Sequence, residues 1–173
     1  MTHNQISPVT TPEDVKQVES LAKQIWNQHY LPIIGQQQVD YMLENFQSSK
    51  VITEQINTEY LYFLIELEHE PVGYLALIPD KTNSKLMISK IYVLDEKRGH
   101  GLGLALFNFT VKHATSNDLK TIWLTVNKDN SASIAWYKKL GFKITEEVKA
   151  DIGNGYFMDD YILEFIPNDN LEK

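Results

Sequence analysis

One segment limits the choice of fold more than any other. The chain runs from Ile91-Tyr92-Val93 through Leu94-Asp95-Glu96-Lys97-Arg98 to Gly99-His100-Gly101-Leu102-Gly103, then on to Leu104-Ala105-Leu106. A strand ends, a short turn follows, and a helix begins at the glycines. Glycines at alternate positions let backbone come close to a ligand. The unmade amide bonds of a helix start can then converge on one anion, with the positive end of the helix dipole behind them. Arg98 adds charge at the same place. The pattern fits a pyrophosphate cradle, and it also fits a tight turn that merely needs glycine. The dinucleotide fingerprint is not met, because the third glycine comes one residue early. The Gly-Lys-Ser/Thr ending of a triphosphate loop is missing as well.

Hydrophobic periodicity supplies the surroundings. Ile6 to Val9 reads as a first strand. Thr11-Pro12-Glu13-Asp14 reads as a helix start, with a capping hydroxyl, proline in the first turn and acids at the positive end. Val15, Val18, Ala22 and Ile25 recur at helical spacing, and Val39, Met42, Leu43 and Phe46 mark a second helix. Tyr60 to Leu67 and Val72 to Ile78 predict a hairpin linked by Glu68-His69-Glu70-Pro71. Residues 79–84 are a turn cluster, and Leu86 to Val93 is a fourth strand. A helix from Gly101 to about Ser116, a strand from Thr121 to Val126 and a short helix from Ser131 to Leu140 come next. Gly141 suits the left-handed position after that helix. Phe142 to Val148 and Tyr156 to Phe165 form a last pair. Hairpins and helical crossovers are thus mixed, which predicts an α/β (α+β) fold with helices on the faces of a mixed sheet.

Length and composition fit this outline. The 173 residues suit one domain over 1–167 followed by a polar tail, 168–173. Cysteine is absent, which excludes a disulfide scaffold, a thiolate metal site and a cysteine nucleophile, and fits a reducing cytoplasm. No metal is expected. The formal charge of −7 argues against nucleic acid, and it suits either plain solubility or a cationic substrate. No apolar run approaches the roughly 18 residues of a membrane span. The opening MTHNQISPVTTPED predicts no secretory signal.

The glycine segment resembles a family motif. Arg98-Gly99-His100-Gly101-Leu102-Gly103 is similar to the R-x-x-G-x-G motif of GNAT acetyltransferases, and Ile91-Tyr92-Val93 before it matches the family strand. Asn127 to Phe142, with Asn130, Tyr137, Lys139, Gly141 and Phe142, resembles the family's N-x-x-A-x-x-x-Y-x-K-x-G-F pattern. The two motifs stand in family order over about residues 86–142. Bacterial PaiA-like members, some of which acetylate polyamines, are the subfamily that the chain resembles.

The resemblance implies the GNAT acyl-CoA N-acyltransferase fold: a central mixed, mostly antiparallel sheet, splayed between strands four and five and flanked by helices. It implies an acetyl-CoA-dependent N-acetyltransferase acting on a small-molecule amine, possible polyamines included, or on a peptide amine, by direct attack in a ternary complex. A homodimer is compatible with it. The main-chain amides of Arg98, Gly99, His100, Gly101, Leu102 and Gly103 would hold the CoA pyrophosphate. Ile91, Tyr92 and Val93 would line the pantetheine arm through a bulged strand, with the amide near Val93 polarising the thioester carbonyl. Asn130 would touch the CoA arm, though an asparagine there equally suits capping the next helix. Tyr137 would be the general acid: a phenol with reference pKa near 10 can protonate a thiolate whose thiol sits near 8.5. Lys139 would lie near the CoA phosphates, or else in solvent.

The general base is unassigned. Many relatives carry a glutamate where this chain has Ser89, a poor base. His29 and Glu66 are the candidates, with a water chain or another carboxylate as alternatives. Trp26, His29, Tyr30 and Tyr41 could line an acceptor pocket, an aromatic face being able to hold a cation. Asp159 and Asp160 receive no role. The missing glutamate also motivates a second reading, a non-catalytic acyl-CoA sensor or interaction module. A different nucleotide-binding enzyme is a third.

Overall fold

The computed structural model describes residues 3–167, so the expected tail at 168–173 lies outside the described residues. The element order is β1 (Asn4–Pro8), α1 (Pro12–His29), α2 (Leu31–Ile34), α3 (Gln36–Phe46), α4 (Ser49–Ile56), β2 (Leu61–Leu67), β3 (Glu70–Asp80), β4 (Lys85–Val93), a 3₁₀ turn (Asp95–Lys97), α5 (Leu102–Ser116), β5 (Thr121–Asn127), α6 (Ser131–Leu140), β6 (Lys143–Gly153) and β7 (Tyr156–Phe165). The strands pair in the order β1-β2-β3-β4-β5-β7-β6. The chain falls into two compact units. One holds the residues up to Ile78 with Lys90–Thr110, and the other holds Pro79–Ser89 with Val111 onward.

In the first unit, α1 begins where its cap residues dictate. Thr11 Oγ1 accepts from the Asp14 amide at 3.1 Å, and Asp14 Oδ2 accepts from the Thr11 amide at 3.1 Å. This reciprocal box satisfies donors that a helix start leaves open. Hydrogen bonding from the Thr10 amide, first of all, holds the Asp14 carboxyl below the usual carboxylate range. The helix buries Val15, Val18, Leu21, Ala22, Ile25 and Trp26.

Two helices lie where the sequence pattern predicted only a connection. The short α2 follows Tyr30. The second, α4, starts at Ser48, whose hydroxyl accepts from the Val51 amide, and it buries Ile52.

The β2–β3 hairpin is tighter than the four-residue link predicted. Glu68 and His69 form the turn, at φ 50° and 69°, and Glu70 and Pro71 already belong to β3. Proline is tolerated there because it stands opposite Glu66, at a bulge between Ile65 and Glu66. The centre of this unit is a fully buried set that includes Ile25, Ile52, Ile65, Tyr74, Leu75 and Leu77. Each such side chain contributes on the order of 2 kcal/mol by leaving water.

In the second unit, β4 and β5 pair in parallel, with Lys85, Leu86 and Met87 against Thr121, Ile122 and Trp123. Parallel neighbours need a crossover, and α5 supplies it. The ladder ends at Met87 while β4 itself runs on to Val93. β7 pairs antiparallel with both β5 and β6. Leu86, Ile122, Leu124 and Leu163 are fully buried. β6 runs on to Gly153, past the Val148 that the residue pattern predicted, while β7 has the predicted bounds, and the two turn through Asn154 and Gly155.

Candidate functional site

The first unit carries the glycine turn. After β4 the chain makes the 3₁₀ turn, in which Lys97 donates to the Leu94 carbonyl and Arg98 to the Asp95 carbonyl. Gly99 and Gly101 then take positive φ, 87° and 72°, and a Cβ on either would meet no atom within 4 Å. It is backbone conformation, not crowding, that requires glycine here. α5 starts at Leu102, and its first bond to the turn runs from the Ala105 amide to the Gly101 carbonyl at 2.9 Å. Among the described residues, the amides of Gly99, His100, Gly101, Leu102, Gly103 and Leu104 find no hydrogen-bond acceptor. Gly99, His100 and Gly101 are exposed. The turn is therefore an open set of donors at the N-terminus of a fifteen-residue helix.

Arg98 differs from its expected place in two respects. Its amide is already bonded to Asp95, so the donor set begins at Gly99. Its guanidinium sits 2.9 Å from the Asp95 carboxylate in an exposed i,i+3 pair. Such a pair contributes little on its own, and it engages a single Nη2 donor, so the rest of the guanidinium's N–H groups remain for an anion.

The end of β4 is shaped from beneath. Ile91, Tyr92 and Val93 are half-buried. The Leu94 amide donates to the Val72 carbonyl at 2.9 Å. Next to it, the Tyr92 carbonyl oxygen lies 2.5 Å from the position a Cβ on Gly73 would take. On the helix side of the sheet, Tyr92 joins an aromatic cluster. Trp26 stacks on Tyr30 at 4.2 Å, Trp26 and Tyr92 are 5.8 Å apart, and the Tyr30 and Tyr92 hydroxyls are 3.5 Å apart. His29 meets Tyr30 edge-on at 4.8 Å. Tyr41 packs instead against Phe46. Glu66 stands at the β2 bulge opposite Gln5 and Pro71.

Lys90 was not singled out from sequence. It lies 5 % exposed, and its ammonium donates to the Phe46 carbonyl, Gln55 Oε1 and the Tyr62 hydroxyl. Burial pushes its pKa down to about 7. Burial likewise raises the Tyr62 phenol far above its ordinary range, so that hydroxyl stays protonated and donates to Gln55 Oε1. The available signal was alternation: Lys90 shares its strand face with the buried Leu86 and Ile88.

The second unit carries the other expected residues. Asn130 is 3 % exposed and caps α6, its Oδ1 accepting from the Ser133 amide at 3.4 Å. The capping role foreseen for it is thus filled. Tyr137 is buried in α6, with its ring 5.5 Å from Phe142 and 5.2 Å from Trp136. Gly141 ends the helix in the left-handed region at φ 117°, as its position predicted. Lys139 is exposed.

Two neighbouring carboxylates in β7 have opposite fates. Lys128 binds Asp159 at 3.0 Å and Glu147 at 3.2 Å, which raises the Lys128 pKa. Asp160 is 8 % exposed, and its Oδ1 has no hydrogen-bond partner among the described residues. Burial first, then the charge of Asp159, pushes its pKa up to about 6, against the opposing pull of the Thr125 hydroxyl and Lys128.

The model of the acetyltransferase (GNAT) family matches residues 20–142. The chain belongs to the GNAT acetyltransferase family. This GNAT chain is 31 % identical over 93 residues to an uncharacterized N-acetyltransferase of Methanocaldococcus jannaschii, covering 51 % of this chain and 41 % of that protein. It is 39 % identical over 72 residues to the L-2,4-diaminobutyric acid acetyltransferase of Shouchella clausii, covering 41 % and 40 %. The matched stretch therefore spans about two fifths of these curated relatives. Among solved structures, the PaiA N-acetyltransferase of Thermoplasma acidophilum in complex with coenzyme A superposes with a TM-score of 0.79 at 19 % identity, over 95 % of this chain and 99 % of that one. That likeness shows the GNAT fold: a mixed seven-stranded sheet with a parallel β4–β5 pair, flanked by helices. Among the described residues no helix is long and apolar enough to cross a membrane, and no group of three His, Asp or Glu side chains is placed to hold a metal.

Proposed function

We propose that this chain is an acetyl-CoA-dependent N-acetyltransferase for the primary amine of a small molecule, polyamines included, or of a peptide. The observation that carries the reading is the open donor set from Gly99 to Leu104 in a GNAT-family chain. Those amides fit the diphosphate of coenzyme A, since they offer several convergent N–H groups and a helix dipole to one dianionic group. Arg98 adds the donors of its guanidinium that Asp95 does not use. The backbone of Ile91 to Val93 pairs with the amides of the pantetheine arm. Bound acetyl-CoA supplies an activated acetyl thioester.

This chain's residues then have three tasks. The Val93 amide polarises the thioester carbonyl. Tyr137 gives a proton to the departing sulfur and regains one from solvent. A carboxylate or water takes the proton that the incoming ammonium must lose. With no cysteine in the sequence, acetyl passes directly to the amine and no acyl-thiol enzyme forms.

Ser89, standing where relatives carry a glutamate, favours one second reading: an acyl-CoA sensor without turnover. Incubation with acetyl-CoA, a thiol reporter and a panel of amines separates the two. Amine-dependent release of free CoA is the expected result. Measurable CoA binding with no release for any amine would overturn the enzyme reading and leave the sensor.

A further inference from the structure

The sheet has two edge strands, and they differ. β1 is five residues long and ends at Pro8, a short edge of the kind that resists further pairing. β6 is eleven residues long, contains no proline and pairs, among the described residues, with β7 alone. None of its residues is buried, and all but Val148 and Ile152 are exposed. Bulges lie near either end, between Ile144 and Glu146 and between Asp151 and Gly153. Such irregularities blunt an edge locally. The ladder between them, from Glu146 to Asp151, is regular.

The charge pattern of that stretch limits what can lie beside it. Two copies of one strand pair antiparallel about a two-fold axis, which places one residue opposite itself and its neighbours in reverse order. Centred on Glu146, Glu147, Lys149 or Asp151, such a pairing sets a charge against its own copy, which destabilises a ladder. Centred on Ala150, it runs into the bulge after Asp151 within two residues. Centred on Val148, it stays within the regular stretch from Glu146 to Ala150 and sets Glu147 of each copy opposite Lys149 of the other. Glu146 then stands opposite Ala150, and no like charges meet directly.

The side chains agree with that register. Glu147 and Lys149 share one face, being two residues apart and opposite Tyr161 and Asp159 of β7. Their ends are steadied there, Glu147 by Lys128 at 3.2 Å and Lys149 over the Phe157 ring at 5.2 Å. On the other face Val148 would meet its own copy. Ile144, an exposed apolar side chain, would approach the Asp151–Gly153 end of the second copy.

We propose that β6 is a self-association surface whose occupant is β6 of a second copy of this chain, antiparallel about Val148. The sheet continues across the two-fold axis through the main-chain groups of β6 that β7 does not take. No residue of the acetyltransfer reading lies on β6, so the surface does not depend on that reading.

Sedimentation of the full chain across the micromolar range tests it, using wild type, Glu147→Lys, Lys149→Glu and an equimolar mixture of the two variants. Wild type should reach twice the mass of the chain at the upper end. Each variant alone sets like charges opposite each other twice, so its self-association should weaken on the order of tenfold or more. The mixture should recover the dimer, because a strand with two cations then meets a strand with two acids. A wild type that stays monomeric throughout overturns the proposal and leaves this edge to some other occupant. A Glu147→Lys chain that dimerises like wild type overturns it too, since the dimer then uses another surface or register. So does a mixture no more associated than the variants alone. If either variant is unfolded by circular dichroism, amide hydrogen exchange of wild type over the same dilution decides. Protection at Glu146 to Ala150 that falls as the chain is diluted supports the pairing, and protection independent of concentration overturns it.

Discussion

Gly73 of β3 lies directly beneath the carbonyl of Tyr92 near the end of β4. A Cβ at Gly73 would stand 2.5 Å from that oxygen, 3.0 Å from Ile65 Cγ2 and 3.2 Å from Val93 Cγ2. The first contact is with backbone, which cannot rotate away, so a methyl group must push the strand end outward. Gly73→Ala should therefore destabilise the fold by about 1–3 kcal/mol, as overpacking does. It should also weaken coenzyme A binding about tenfold, because Val93 moves with Tyr92. Thermal unfolding and calorimetry check both. A variant with unchanged melting and unchanged affinity would show that this close approach is unimportant.

Gly101 makes a separate prediction. Its φ of 72° costs an L-residue roughly 1–2 kcal/mol, although its side is open. Gly101→Ala should relax the turn, close the donor set and reduce coenzyme A affinity about tenfold, with the rest of the fold intact by circular dichroism. Wild-type affinity in this variant would mean that the turn's conformation does not serve the coenzyme.

Lys90 predicts a pH dependence of stability. Burial depresses its pKa to about 7, against 10.4 in the unfolded chain. Between those values the unfolded state binds more protons, so stability rises with pH from about 7 towards 10.4, by at most about 1.4 kcal/mol per pH unit from this group. The burial penalty is fully present below pH 7 and gone above 10.4. Lys90→Met should flatten the rise in urea-unfolding free energy between pH 7.5 and 9.5. Equal slopes in the two proteins would contradict a depressed Lys90.

Tyr137→Phe tests the proton donor. The ring's packing against Phe142 is kept and only the hydroxyl is lost. A fall in kcat of roughly 100-fold with near-intact coenzyme A affinity is the expected outcome by steady-state kinetics and calorimetry. Full activity in the phenylalanine variant would remove Tyr137 from the chemistry.

Legibility in the sequence followed the range of the physics. Local rules sufficed for α1, whose Thr11–Asp14 box is a four-residue device, and for α6, whose bounds at Ser131 and Leu140 follow from an asparagine cap and a left-handed glycine. α4 was missed because it begins three residues after α3 ends, so two helical patterns run together around Ser48. The Glu68–His69 turn was misjudged because two non-glycine residues take positive φ there. The glycine turn stood out because backbone conformation restricts residue type. That Asp95 captures the Arg98 amide did not, since a 3₁₀ turn has no strong residue signature. Lys90 and Asp160 were illegible for a different reason. Their burial is made by partners distant in sequence, Phe46 and Gln55 for one, and the strand neighbours β5 and β6 for the other.

The central claim is that the open amides after β4 hold the coenzyme's diphosphate. Backbone amide NMR of the full chain, titrated with coenzyme A, tests it most directly. The Gly99, His100, Gly101, Leu102 and Gly103 N–H resonances should shift downfield together and saturate in step, with Arg98, bonded to Asp95, moving less. Saturable binding that leaves those five resonances in place, or no binding at all, would contradict the account.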